Sequence, residues 1–265
     1  MSELRRFAHG VVTSRDLEAK LRLADRRLDD DEPGPALRLE APGRPANLEI
    51  RPGREVKIPR IEGMGDPAQR VRILHALANH ELQAAELFAW ALLAFPEAPR
   101  EFRAGLAEIL DDEQRHTRMY MARLKGHGRA FGDFPVTGYF WRKTPHLTSP
   151  LHFVSAMSLT FENANLDFTV EYAAAARRAG DEKTALVIER VERDEVDHVR
   201  FGWRWLQELK EENSSAWETW KDHLAWPLRP SRARGERFYP RGRRAAGLDE
   251  DFIARLESAH RDEGV

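Results

Sequence analysis

Between Asp66 and Phe95 the apolar residues Val71, Leu74, Leu77, Ala78, Leu82, Ala85 and Phe88 recur at steps of three and four, the spacing that lines one face of a helix. The Phe95-Pro96-Glu97-Ala98-Pro99 segment ends that pattern, because proline lacks a backbone donor and clashes with the preceding turn. A second helical pattern runs from about Glu101 through Leu106, Ile109, Glu113, His116 and Tyr120 to Leu124. A third spans about Leu151 to Arg178, breaks at Gly180-Asp181, and yields to a fourth from about Glu182 to Lys210. Short connections make each pair antiparallel. Between the pairs, Gly126 to Pro150 carries Gly, Pro and the aromatics Phe131, Phe134, Tyr139, Phe140 and Trp141, and reads as a long crossover whose rings need a surface to pack on. The pattern predicts an all-α fold, an antiparallel four-helix bundle over residues 66–210.

The flanks have a different texture. Residues 1–65 hold a short charged helix candidate around Asp16 to Asp29 and a Pro/Gly-rich stretch from Glu32 to Pro59, and are expected to wrap a core built elsewhere. Residues 211–265 form a Trp/Arg-rich C-terminal extension, with an arginine-rich segment from Leu228 to Arg244 and a helix candidate around Glu250 to His260.

Composition narrows the chemistry. With 265 residues and 42% hydrophobic positions, one domain with extensions can bury a sizeable core. A net charge of -2 argues against a protein that coats nucleic acid along its whole surface. The absence of cysteine excludes disulfides, thiolate catalysis and cysteine-bound metal or iron-sulfur clusters, leaving nitrogen and oxygen ligands. Met1 to Val12 carries Arg5, Arg6 and His9 with no long apolar run behind them, so neither a signal peptide nor a membrane anchor is expected, and a cytoplasmic location is the simplest expectation.

Two segments, Asp112-Glu113-Gln114-Arg115-His116 and Asp194-Glu195-Val196-Asp197-His198, place Glu and His at i and i+3 on one helix face, where one metal ion can touch both. Chance alone supplies about one Glu-x-x-His in a chain of this composition. The tail motif Glu257-x-x-His260 illustrates that background, since Leu224 and Ala225 stand where a partner glutamate would have to be.

Position distinguishes the other two. Glu81 precedes Glu113 by 32 residues and Glu162 precedes Glu195 by 33, with the Pro96–Pro99 turn and the Gly180-Asp181 break near the midpoints. In each antiparallel pair the two carboxylates therefore meet at one height, about 24 Å from the turn at ~1.5 Å per residue, well inside the bundle. The offsets between halves, 81 and 82 residues, describe one helix pair used twice. Four buried carboxylates demand counter-charge, and two divalent cations neutralise them while accepting two neutral imidazoles. The predicted ligands are Glu81, Glu113, His116, Glu162, Glu195 and His198. Glu86 is the alternative on the first helix, although it lies nearer the turn by about 7 Å and is rotated by about 140° from Glu81. His75 and His80 read as capping or hydrogen-bonding residues rather than ligands.

This ligand set resembles that of the ferritin-like di-iron carboxylate proteins. The sequence His80-Glu81-Leu82-Gln83-Ala84-Ala85-Glu86-Leu87-Phe88, with Asp112-Glu113-x-x-His116, Gly132-Asp133-Phe134-Pro135 and Asp194-Glu195-x-x-His198-Val199-x-x-Gly202, is similar to the ferritin-like family catalogued as domain of unknown function 455, from about residue 60 onward. Where that family has a Glu-Ala-Arg-Gly-Leu-Asp-like third helix, this chain has Glu162-Asn163-Ala164-Asn165-Leu166-Asp167, which keeps the glutamate. The resemblance implies a ferritin-like bundle holding two iron ions, or a manganese-iron pair, that activate O2 to oxidise an organic small molecule with electrons from an external donor. It also casts Asp112 and Asp194 as carboxylates that hold the ligand histidines, expected as a crossed pairing of Asp112 with His198 and Asp194 with His116. Tyr120, one turn after His116, is a candidate redox or hydrogen-bonding residue, or a packed core tyrosine. Gly202, four residues after His198, would either open a cavity beside one metal or permit close helix packing.

Three other functions compete with that expectation. Seven arginines with Phe238 and Tyr239 between Leu228 and Arg244 fit a tRNA-modifying hydroxylase that holds RNA, or simply arginines packing on an acidic surface. Iron storage or peroxide scavenging, and a non-catalytic scaffold, are the others. Oligomeric state has no signature in the sequence.

Overall fold

The computed structural model describes residues 2–225 and 227–259, so that Trp226 and His260 lie outside the described residues. It is predominantly helical, with one two-residue parallel strand pair, β1 (Ile50–Arg51) with β2 (Val136–Thr137). The chain divides into two compact units, one of residues 1–145 and 178–183, the other of 146–177 and 184–265.

The first unit is built on α3 (Pro67–Ala94) and α4 (Arg100–Gly126), preceded by α1 (Glu3–Thr13) and α2 (Leu17–Lys20). Asp66 caps α3 by accepting the Gln69 N–H, and Pro67 occupies the first turn, where no donor is missed. Every residue of α3 from Glu81 to Ala94 is buried, as expected of a helix covered on all sides. Part of that cover is the N-terminal segment. Leu37 N–H donates to Leu93 O, Trp90 Nε1 donates to Leu39 O, and Arg44 reaches Glu86.

The helix expected around Asp16 to Asp29 is only the single turn of α2, and the residues after it are non-helical. Their polar groups are committed elsewhere: Arg26 pairs with Glu3, and Asp30 takes a two-pronged bond from buried Arg103 at 2.6 and 2.8 Å. The longer helix of this region is α1, capped by Ser2 and buried through Leu4, Ala8, Val11 and Val12. The crossover rings lie on α3, with Phe131 and Phe134 edge-on to His75 and Phe140 against His80. Gly132 permits this path. Its φ of +107 suits glycine, and a Cβ there would fall 2.1 Å from Asn47 Nδ2. Residues 178–183 are held by Asp181, which meets Arg123 at 3.1 Å, His127 at 2.9 Å and Arg70 at 3.5 Å.

The second unit contains α5 (Pro150–Ala156), a π-helical segment (Met157–Glu162), α6 (Asn163–Arg178) and α7 (Glu182–Leu209). The third predicted helix is therefore not uniform, and its π-helical part ends on Glu162. Thr160 Oγ1 and Trp220 Nε1 both donate to Ser155 O, satisfying a carbonyl at this irregular stretch.

The C-terminal extension contributes α8 (Ala216–Asp222), α9 (Pro240–Ala245) and α10 (Glu250–Ser258). Trp203 of α7, Trp217 and Trp220 of α8 and Phe252 of α10 form one aromatic cluster, with ring centres 5.0 to 5.3 Å apart around Phe252. Arg243, fully buried, grips both oxygens of Asp167 at 2.7 and 2.9 Å and stacks on Phe238. Asp167 also accepts the backbone N–H groups of Gly235 and Tyr239. Arg243 thus fastens the arginine-rich segment to α6, and Arg244 pairs with Glu250. Among the described residues no helix is long and apolar enough to cross a membrane.

Candidate metal centre

In the first unit α3 supplies Glu81 and α4 supplies Glu113 and His116, all buried. Each offers one ligand atom, and these atoms lie within 4.8 Å of one another. His116 Nδ1 stands 3.5 Å from Glu113 Oε2 and 3.8 Å from Glu81 Oε2. The i, i+3 spacing puts the α4 pair on one face, and the antiparallel return of the chain brings Glu81 to the same level.

In the second unit Glu162, Glu195 and His198 form a triad of the same kind, again buried and with ligand atoms within 4.8 Å of one another. His198 Nδ1 stands 3.3 Å from Glu195 Oε2, so the same ring nitrogen faces the same carboxylate oxygen as in the first triad. Asn165 holds this arrangement. Its amide donates to Glu162 Oε2 at 3.3 Å and to Glu195 Oε1 at 3.1 Å. Sequence reasoning did not assign Asn165 a role, although its i+3 position from Glu162 placed it on the ligand face.

Glu86, the alternative first-helix ligand, is committed to other partners. Its carboxylate meets Lys20 Nζ at 3.0 Å and Arg44 at 2.7 Å, and Trp141 Nε1 donates to it at 2.8 Å. Burial raises its pKa, but the Arg44 and Lys20 charges outweigh burial and hold the carboxyl below its usual range. Five residues apart on α3, two buried glutamates thus have different surroundings, Glu86 a neutralising protein network and Glu81 the cluster with Glu113 and His116.

The remaining candidates are distributed as follows. Asp112 lies against Arg115, and Asp194 pairs with Arg190 at 3.0 Å. Tyr120 is buried on α4 one turn beyond His116. Gly202 serves close packing rather than a cavity, since a Cβ at that position would fall 2.3 Å from Ser158 Cβ. His75 accepts the Gly132 N–H at Nε2, and burial lowers its pKa to about 4. His80, packed on Phe140, is lowered to about 4 by the same cause.

Both triads fit a divalent first-row metal. Each joins two carboxylates and one imidazole, hard or borderline donors without thiolate, in a buried position. The chain matches no curated protein and no solved structure. The family model described as "Protein of unknown function (DUF455)" matches residues 6–254, and the chain belongs to that family.

Proposed function

We propose that this chain is a di-metal carboxylate oxidoreductase on a ferritin-like four-helix bundle, in which a pair of ions, iron in the first instance, activates O2 to oxidise an organic small molecule. The observation that carries this reading is the repetition of one buried triad, Glu, Glu and His with Nδ1 turned to the carboxylate, in both helix pairs. That the two triads serve one pair of ions is supported by the matched separations of 32 and 33 residues and by charge, since four glutamates balance two divalent cations.

Glu81, Glu113 and His116 would hold one ion, and Glu162, Glu195 and His198 the other. A bound ferrous pair would supply the electrons for O2 reduction, and turnover then requires an external electron donor. The protein's part is to hold the donors in a dry, fixed arrangement. Asn165 keeps Glu162 and Glu195 oriented, and burial excludes bulk water from the carboxylates.

The test is metal content followed by oxygen consumption. Protein expressed with iron should carry about two metal ions per chain. Glu113→Ala and Glu195→Ala should each reduce that content and abolish O2 uptake on anaerobic loading with ferrous iron and exposure to air. A purified, folded chain with less than about one metal ion refutes the site. Full occupancy without O2 uptake refutes the oxidoreductase reading and leaves the metal site standing.

A further inference from the structure

Outside the glutamate triads, the second unit brings two histidines into ring contact. His152 of α5 and His223, the residue that ends α8, have ring centres 4.7 Å apart and planes inclined at 62°. Both are half-buried.

The hydrogen bonds at these rings all use Nδ1. His223 Nδ1 lies 2.7 Å from Thr219 O, and a carbonyl only accepts, so Nδ1 carries the proton and Nε2 of the neutral ring keeps its lone pair. His152 Nδ1 lies 2.8 Å from Ser149 Oγ and 3.3 Å from Thr148 Oγ1. A hydroxyl accepts as readily as it donates, so Ser149 accommodates the tautomer with Nδ1–H and a bare Nε2. Among the described residues neither Nε2 has a hydrogen-bond partner. One ring nitrogen fixed by a protein oxygen and the other left as a donor is the arrangement of a metal-binding imidazole.

The spacing agrees. With a metal–nitrogen bond of about 2.0 Å, a ring centre lies roughly 3.2 Å from the ion. Two rings 4.7 Å apart then subtend roughly 95° at a shared ion, between square-planar and tetrahedral geometry.

We infer that His152 and His223 form a two-imidazole site for a divalent late transition ion, Cu2+, Ni2+ or Zn2+, with Nε2 of each ring as donor and water completing the coordination. The site shares no residue with the glutamate triads, and both of its protein donors are imidazoles. No carboxylate is required, so it favours the nitrogen-seeking end of the divalent series over iron or manganese. A bound ion would add a second link between α8 and α5, beside the hydrogen bond from Trp220 Nε1 to Ser155 O.

The experiment uses the full chain, loaded with ferrous iron, oxidised in air to the ferric state so that no reductant remains, and then titrated with Cu2+, with Zn2+ as a competitor. Electron paramagnetic resonance should show one cupric site per chain with hyperfine coupling from two nitrogens. His152→Gln and His223→Gln should each lower cupric affinity on the order of 10- to 100-fold and reduce the coupling to one nitrogen. His146→Gln, which alters an exposed histidine, should change neither. Iron content should be the same in all variants, separating this site from the triads. Circular dichroism melting identifies any variant that fails to fold, and the other single variant then decides. An unchanged cupric spectrum and affinity in a folded variant, or a spectrum with no nitrogen coupling in the unaltered chain, overturns the assignment.

Discussion

Gly202 and Ser158 approach so closely that a methyl group on the glycine would meet the serine Cβ at 2.3 Å and Leu159 Cγ at 3.2 Å. The contact joins α7 to the π-helical segment that ends on Glu162, one turn away from His198. Gly202→Ala should therefore cost about 1–3 kcal/mol by overpacking. Chemical denaturation measures it, and Ser158→Gly in the same chain should restore most of the loss. If the alanine variant is as stable as the parent, the packing described here is wrong.

Glu81 and Glu86 offer a paired test on one helix. Glu86→Gln leaves Lys20 and Arg44 buried without their carboxylate, and should cost about 3–5 kcal/mol while folded protein keeps its metal. Glu81→Gln should do the reverse, lowering metal content with much less effect on the stability of the metal-free chain. Elemental analysis and urea melts distinguish the two, and loss of metal in Glu86→Gln alone would reverse the assignment.

His75 sets an acid limb. Its folded pKa, lowered to about 4 by burial, lies below the unfolded value, so between about pH 6.5 and 4 the unfolded chain binds a proton that the native chain does not. Stability from this residue is complete above pH 6.5, falls as pH drops to 4, and amounts to about 3 kcal/mol. His75→Gln, which can still accept from Gly132, should make that limb shallower and leave the part that His80 contributes through the same lowered pKa. Parallel pH profiles for parent and variant would assign the limb elsewhere. Below it, the carboxyl of Glu86 adds a second loss, because its depressed folded pKa contributes stability only while it stays ionised.

The C-terminal extension depends on one ion pair. Asp167→Asn leaves Arg243 buried with a neutral partner and should destabilise the second unit by about 3–5 kcal/mol. Limited proteolysis should then cut first within residues 228–245, before the helices of either pair. Cleavage elsewhere first would show that the aromatic cluster around Phe252, not Arg243, is the principal attachment.

The long helices were legible because their evidence is local. Periodic leucines and phenylalanines, the Pro96–Pro99 turn and Gly180 set the limits of α3, α4 and α7 to within a residue or two. Each buried Glu–Glu–His cluster was legible for the same reason, since it combines a helical spacing with a turn-symmetric separation. What escaped depends on distant residues. The π-helical segment is written in residues that continue an ordinary helical pattern, and the Ser155 carbonyl just before it accepts from Trp220, 65 positions away, as well as from Thr160. The structural use of Glu86 is supplied by Lys20 and Arg44, in a region where the expected helix was misplaced. α1 was overlooked because its Gly10 and charged first turns obscure a four-residue apolar stripe that only α3 gives reason to bury.

Lys20 illustrates how completely that buried network is occupied. Its ammonium donates to Val11 O at 2.6 Å and Val12 O at 3.0 Å and meets Glu86 at 3.0 Å, so all three protons face protein oxygens and none faces water. An amine in that state cannot react with an acylating reagent until the N-terminal segment lifts from α3. Mass-spectrometric labelling at Lys20 therefore reports the opening of the first unit against exposed lysines such as Lys57, Lys125 and Lys221, which react at once. The residue is a built-in clock for that opening.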